Sequence, residues 1–168
     1  MRRLRPAELT PIDYQRPPVV PSLWFAEGVT SYLDQFLPLT AGLSEPEDLF
    51  TDLAEDLSRY RLTPARGVQS LRESSQEAWV KLYKADAYSA DAQVSYYLKG
   101  AVVALCLDLH LRRSGGSLMQ VLRQLWLSHG RWGRGYSEAA LVESFATHAP
   151  DLATELPRWL RDLDDPDL

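Results

Sequence analysis

Cysteine and histidine are scarce in this chain of 168 residues. The one cysteine, Cys106, excludes an intrachain disulfide and a zinc site built from several thiolates. The three histidines, His110, His129 and His148, do not form an HExxH motif or any other pair spaced by one helical turn. The sequence therefore contains no self-contained zinc site of the helical histidine type.

Excess positive charge and long apolar runs are lacking as well. The net charge is −5 at pH 7, whereas nucleic acids and anionic membranes attract a basic surface. The longest apolar run, residues 100–107, has 8 residues, and a bilayer requires about 20. No apolar region follows the arginines near the N-terminus, so no signal peptide is visible. We therefore expect a cytoplasmic chain whose partners are neither nucleic acid nor membrane.

The overall composition, 45% hydrophobic and 24% charged, is that of a globular domain. Residues 1–22 hold five prolines and no helical periodicity, which predicts an extended segment. Residues 23–163 carry apolar positions at helical spacing, and residues 164–168 are expected to form a frayed tail. The sequence predicts an all-α fold, a helical bundle of about six to seven helices.

Cap residues set the expected helix boundaries. Ser22 is positioned to cap a first helix over 23–37, which Pro38 and Gly42 would end. Ser44 is a candidate cap for the second helix. The further predicted helices cover residues 45–61, part of 68–84, 94–113, 117–130, 138–149 and 151–163.

Two short motifs each place a candidate functional side chain within three residues of a glycine. In "LWFAEG" Glu27 precedes Gly28, and in "SYYLKG" Tyr97 stands three residues before Gly100. From the residues alone two interpretations stay open for each motif. Glu27 is either a solvated acid or a metal ligand, and the tyrosines either pack in the core or act at a site.

Together the motifs resemble those of the gluzincin metallo-aminopeptidases. Those enzymes bind zinc with two histidines of HExxH and a glutamate on the next helix, and a tyrosine of a later Y-x-K-G motif points into the site. Longer blocks are similar to the glycyl aminopeptidase family, whose members usually carry a PDZ domain after the catalytic domain. These blocks are "RRLRPAELTPIDYQRPPVVPSLWFAEGVTSYLDQF", "SLRESSQEAWVKLY", "VSYYLKGAVVALCLDLHLR" and "GRGYSEAALVESF". The resemblance covers nearly the whole chain and implies the C-terminal helical part of a thermolysin-like catalytic domain.

The resemblance assigns roles to two residues. Glu27 matches the third zinc ligand, and Tyr97 matches the tyrosine that donates a hydrogen bond to the oxyanion of the tetrahedral intermediate. Tyr96 is expected to point elsewhere, since neighbours on a helix diverge by about 100°. Ser31, one turn after Glu27, is a candidate to support the ligand.

The chain departs from the family pattern in what it leaves out. HExxH and the β-rich N-terminal domain precede the matching segment in the family, and neither is found in these 168 residues. We therefore expect a fragment of a zinc aminopeptidase that cleaves N-terminal glycine or small residues from peptides. In isolation it would be inactive and hold no zinc, and its partner would be the missing part of the catalytic domain. The alternative is a non-catalytic helical interaction module that self-associates through exposed apolar surface.

Overall fold

The computed structural model describes residues 3–166, and within this range it contains helices and turns but no strand. The only strand-like pairing in that range is an isolated parallel bridge between Pro6 and Tyr136. The all-α prediction is confirmed. The helices are α1 (Val29–Thr40), α2 (Pro46–Leu62), α3 (Leu71–Gln76), α4 (Ser89–Ala92), α5 (Tyr96–Arg113), α6 (Leu118–Ser128), α7 (Glu138–Ala146) and α8 (Leu152–Arg161). Short 3-10 turns occupy Ala7–Leu9, Pro64–Gly67, Leu82–Lys84 and Gly130–Trp132, and a π-helical turn, Trp24–Gly28, leads into α1.

Helix α5 runs through the centre of the fold. The Ser95 side chain accepts a hydrogen bond from the backbone N–H of Leu98 at its start, and Gly115, at φ +79°, follows its end. The helical stretch Ser89–Arg113 is long and apolar enough to cross a membrane, but 67% of its most apolar window is buried inside the fold. Burial of that extent is what the core helix of a globular domain shows.

Four other helices and the π-helical turn pack against α5. The π-helical turn, α1, α2, α3 and α6 all contact it. Each fully buried large side chain contributes roughly 1.5–3 kcal/mol relative to exposure, so a core of this size stabilises the fold. Its largest apolar members are Trp24, Phe25, Leu71, Leu107, Leu111, Leu118, Leu125, Leu141 and Phe145.

The first helix departs from its predicted boundaries at both ends. The Ser22 side chain does not cap it. Its hydroxyl is buried with no hydrogen-bond partner among residues 3–166, and the Ser22 carbonyl accepts instead from the N–H of Phe25 at 3.1 Å. Pro38 does not end α1, because a proline in the last turn forfeits a single intrahelical hydrogen bond. Gly42, at φ +69°, follows the true end at Thr40.

The N-cap of the second helix lies one residue later than predicted. Glu45, not Ser44, is its N-cap, and Pro46 takes the first helical position. The carboxylate of Asp48 accepts a hydrogen bond from the Glu45 N–H at 2.9 Å. Ser44 was a wrong prediction because the Glu45–Asp48 pair, with proline between them, satisfies the helix terminus itself.

The segment before the first helix is tied to a distant part of the chain. The N–H of Ala7 donates to the Tyr136 carbonyl at 2.8 Å, and the N–H of Tyr136 donates to the Arg5 carbonyl at 3.0 Å. Gly135 makes this approach possible, since a β-carbon there would lie 2.7 Å from the Ala7 nitrogen. Tyr136 is consequently fully buried beneath the segment.

The last described residues also contact the body of the domain. Asp165 accepts a hydrogen bond from the Tyr60 hydroxyl and pairs with Arg66 at 2.8 Å. Of the predicted frayed tail, Asp167 and Leu168 lie outside the described residues, as does Arg2 at the other end.

One buried carboxylate joins three helices. Asp108 of α5 is 3% exposed. It accepts hydrogen bonds from the Tyr32 hydroxyl at 2.9 Å, Arg112 at 2.9 Å and the Leu118 N–H at 2.8 Å. Burial, then the charge of Asp108, raises the pKa of Tyr32 above its usual value, so the phenol stays a donor. Helices α1, α5 and α6 are thereby locked at one point.

Candidate active site

Two glycines bring the two sequence motifs together. A β-carbon on Gly28 would lie 2.5 Å from the Gly100 Cα, and one on Gly100 would lie 2.9 Å from the Trp24 carbonyl oxygen. Neither position has room for a side chain, so the backbones of the π-helical turn and α5 are in direct contact. Glu27 and Tyr97 flank this contact, one on each element.

Glu27 and Tyr97 are both half-buried. Burial raises the pKa of Tyr97, a hydrogen bond with Tyr83 adds to the effect, and so does the negative charge of Glu27. The Tyr97 phenol therefore stays protonated at neutral pH. Within residues 3–166, no lysine or arginine pairs with the Glu27 carboxylate.

The hydroxyls of three tyrosines meet beside this contact. The Tyr83 oxygen lies 3.0 Å from the Tyr96 oxygen and 3.2 Å from the Tyr97 oxygen. The rings of Tyr96 and Tyr97 stack with centroids 4.6 Å apart. The expectation that Tyr96 points elsewhere is wrong, because the shared hydroxyl of Tyr83 draws both phenols to one place. We call Tyr83, Tyr96 and Tyr97 the tyrosine cluster.

Sequence reasoning gave Tyr83 and Tyr136 no role. The Tyr136 hydroxyl is buried with no hydrogen-bond partner in the described part of the chain. Burial, followed by the charges of Glu8 and Glu27, raises the pKa of Tyr136. Both tyrosines stand inside the quoted family blocks, which was the signal available, but their contacts depend on residues far away in sequence.

The lysine of the Y-x-K-G motif is part of the core. Lys99 is 1% exposed, and its ammonium group has no hydrogen-bond partner among residues 3–166. It lies 6.0 Å from the centre of the Tyr60 ring, and burial lowers its pKa. Lys99 therefore extends away from Glu27, into the region between α5 and α2.

The described residues do not assemble a metal centre by themselves. No group of three or more histidine, cysteine, aspartate or glutamate side chains in this range could hold a metal ion. The histidines have other partners: His110 lies 2.9 Å from Asp151, and His148 lies 3.0 Å from Gln124. Glu27 can thus supply one carboxylate to a site that other residues would have to complete.

Comparison with known proteins identifies the family. The family model of the M61 glycyl aminopeptidases matches residues 1–103. A crystal structure of an aminopeptidase N family protein from Idiomarina loihiensis is 31% identical and superposes with a TM-score of 0.92. That similarity covers 99% of this chain but 29% of the solved chain, so the chain spans less than a third of that protein. No curated protein shows a significant match.

Proposed function

The chain belongs to the M61 glycyl aminopeptidase family, and on this basis we propose that it forms the helical part of a zinc-dependent aminopeptidase. The reaction would be hydrolysis of the peptide bond after an N-terminal glycine or another small residue. The observation that carries the proposal is the backbone contact of Gly28 with Gly100, because it places Glu27 beside the turn of α5 that bears Tyr97.

Tyr97 would act as a hydrogen-bond donor to the substrate. Hydrolysis of a peptide bond puts negative charge on the carbonyl oxygen in the transition state, and a donor already in place stabilises that charge. A phenol is suited to this task only while it keeps its proton. An ordinary phenol, with a pKa of about 10, already keeps its proton in the neutral range, and the raised pKa of Tyr97 is compatible with the role.

Glu27 would be the carboxylate ligand of zinc. A catalytic zinc takes three protein ligands and leaves one position open, and the described residues provide one of the three. Two imidazoles from an HExxH segment elsewhere would complete the set, and the bound ion would act as a Lewis acid. The 168 residues contain no HExxH, so we propose that the isolated chain is inactive. We call this chain joined to an HExxH-bearing part the complete enzyme.

The test compares two variants of the complete enzyme. Glu27→Ala should lower the bound zinc, measured by elemental analysis, because a ligand is lost. Tyr97→Phe should keep the zinc and lower kcat by roughly 100-fold, the loss typical of an oxyanion donor. Tyr88→Phe is the matched control, since Tyr88 is 78% exposed. Unchanged turnover in Tyr97→Phe would refute the donor role, and full zinc content in Glu27→Ala would refute the ligand role.

Exposed apolar surface supports the second candidate, a non-catalytic interaction module. Phe50 and Leu62 on α2 are 68% and 82% exposed and line one open groove of about 650 Å³. A module of this kind would self-associate through that surface. Two measurements separate the candidates. Sedimentation of the isolated chain reports its oligomeric state, and a dimer that is lost in Phe50→Ser favours the module. A peptidase assay after addition of an HExxH-bearing part reports activity, and a monomeric chain that gains activity favours the enzyme.

A further inference from the structure

Tyr83 connects the tyrosine cluster to the surface. It lies in the 3-10 turn Leu82–Lys84, and its ring is 54% exposed. The ring packs on Trp79 with centroids 5.2 Å apart. Its hydroxyl lies within hydrogen-bond distance of both other phenols, at 3.0 Å from Tyr96 and 3.2 Å from Tyr97.

The number of protons in the cluster restricts its hydrogen bonds. Each phenol donates one proton and accepts through its oxygen. Tyr96 is 2% exposed, so its hydroxyl depends on a protein partner, and Tyr83 provides one. If Tyr96 donates to Tyr83, the proton of Tyr83 is free to go to the Tyr97 oxygen. The proton of Tyr97 is then not engaged by Tyr83 and is available to a substrate.

With the hydrogen bonds in the opposite direction, the Tyr97 proton is engaged within the cluster. If Tyr97 donates to Tyr83 and Tyr83 to Tyr96, the proton of Tyr97 is engaged before any substrate arrives. This is the direction in which the Tyr83 hydrogen bond raises the pKa of Tyr97, so it describes the chain without substrate. An oxyanion is a stronger acceptor than a phenol, so a bound substrate favours the first direction. Hydrogen bonds in a chain strengthen one another, and a donor from Tyr83 stabilises the charge that builds on the Tyr97 oxygen as Tyr97 donates.

We infer that Tyr83 is a positioning residue for the reaction: once substrate is bound, it donates to the Tyr97 oxygen and leaves the Tyr97 proton directed at the substrate's carbonyl oxygen. The inference rests on the proposed function, since it requires Tyr97 to be the donor. Tyr83 itself need not touch the substrate. Its ring packs on Trp79, and the bound substrate, as the strongest acceptor, sets the direction of the hydrogen bonds.

The experiment is a double-mutant cycle in the complete enzyme, with a glycyl-peptide substrate. Tyr83→Phe keeps the ring and removes the hydroxyl; we expect kcat to fall about tenfold, the effect of one hydrogen bond, with KM within about twofold. Tyr83→Phe added to Tyr97→Phe should lower kcat no further, because the donor through which Tyr83 acts is already gone. Tyr88→Phe, in the neighbouring segment, is the control and should match the parent.

The outcomes separate this inference from the proposed function. If Tyr97→Phe leaves kcat unchanged, the donor role fails and the inference fails with it. If Tyr97→Phe lowers kcat but Tyr83→Phe behaves like the control, the donor role stands and the positioning role is overturned. An equal loss from Tyr83→Phe in both backgrounds would show a purely structural effect and would also overturn it.

One more variant distinguishes a folding defect in Tyr83→Phe from the loss of the positioning role. That substitution strands the buried Tyr96 hydroxyl, which costs stability. Tyr83→Phe combined with Tyr96→Phe removes the stranded group as well, so the fold is restored while the hydrogen bond to Tyr97 stays absent. The positioning role requires kcat to remain low in this double variant; recovery to the parent value would contradict it.

Discussion

Gly28 and Gly100 lie backbone against backbone, with Gly28 in the π-helical turn and Gly100 in α5. A β-carbon on Gly28 would lie 2.5 Å from the Gly100 Cα and 2.9 Å from the Ala101 nitrogen. These atoms belong to the backbone, so no side-chain rotation relieves the clash. The glycines that end W-x-x-E-G and Y-x-K-G therefore have one shared purpose, the close approach of the two elements that carry Glu27 and Tyr97.

Gly28→Ala should destabilise the chain by about 2 kcal/mol or more, since an added methyl group in a filled core forces the backbone apart. Gly67→Ala is the matched control because nothing lies within 4 Å of its β-position. The midpoints of urea unfolding measure both. A Gly28→Ala chain as stable as the control would show that the contact is not tight.

Asp108→Ala should cost about 3 kcal/mol. The substitution strands the Tyr32 hydroxyl and the Leu118 N–H, and each buried donor without a partner costs about 1–3 kcal/mol. Tyr32→Phe removes the hydroxyl itself, so this donor is not left buried without an acceptor, and the substitution should cost about 1 kcal/mol. Asp52→Ala, on the exposed face of α2, is the control and should change stability by less than about 0.5 kcal/mol. Equal effects of Asp108→Ala and Asp52→Ala would contradict this.

The isolated chain should show no stoichiometric zinc site of micromolar or tighter affinity. Within residues 3–166 one carboxylate, Glu27, is the candidate ligand, and no cluster of three completes it. Isothermal titration calorimetry measures the affinity and the stoichiometry. A one-to-one site that Glu27→Ala abolishes would show that the chain completes a zinc centre without an HExxH segment.

The start of α3 should make stability depend on pH in the acid range. Glu73 accepts hydrogen bonds from the backbone N–H and the hydroxyl of Ser70, both at 2.9 Å, and these bonds lower the pKa of Glu73. A lowered folded-state pKa means that the stabilisation is present above the unfolded value of about 4.3 and is lost as the pH falls through the folded value.

Ser70→Ala removes the hydroxyl that donates to Glu73, so its free energy of unfolding should fall below that of the parent by more at pH 6 than near pH 3. The difference left at pH 3 is that of the helix cap, since the Ser70 hydroxyl also accepts from the Glu73 N–H at 3.2 Å. Chemical denaturation at a series of pH values measures the difference. A difference that stays constant from pH 6 to pH 3 would show that the Glu73 carboxylate does not contribute.

The sequence predicted the parts of the fold that depend on neighbouring residues. Ser117 and Ser137 accept hydrogen bonds from the N–H groups three residues on, as their place before an apolar repeat indicates. The prediction that Pro38 ends the helix is wrong because a proline in the last turn removes a single intrahelical hydrogen bond. Ser22 was misjudged because its hydroxyl faces the interior.

Part of the candidate site could be predicted from the sequence for the same reason. Glu27 and Tyr97 stand in short motifs, so a family pattern identifies them; their roles remain proposals. Tyr83 reaches Tyr97 across 14 positions through an irregular segment, and no periodic pattern specifies such a contact. The pairing of Gly28 with Gly100 likewise depends on how two elements cross.

Cys106, the one thiol of the chain, lies in the middle of α5 and is 4% exposed. Burial raises its pKa to about 11, so at neutral pH the group is both inaccessible and protonated, and thiol reagents react with the thiolate. The rate of its alkylation therefore measures how often the central helix opens to solvent. The chain carries its own single-site probe for that motion, with no label to introduce.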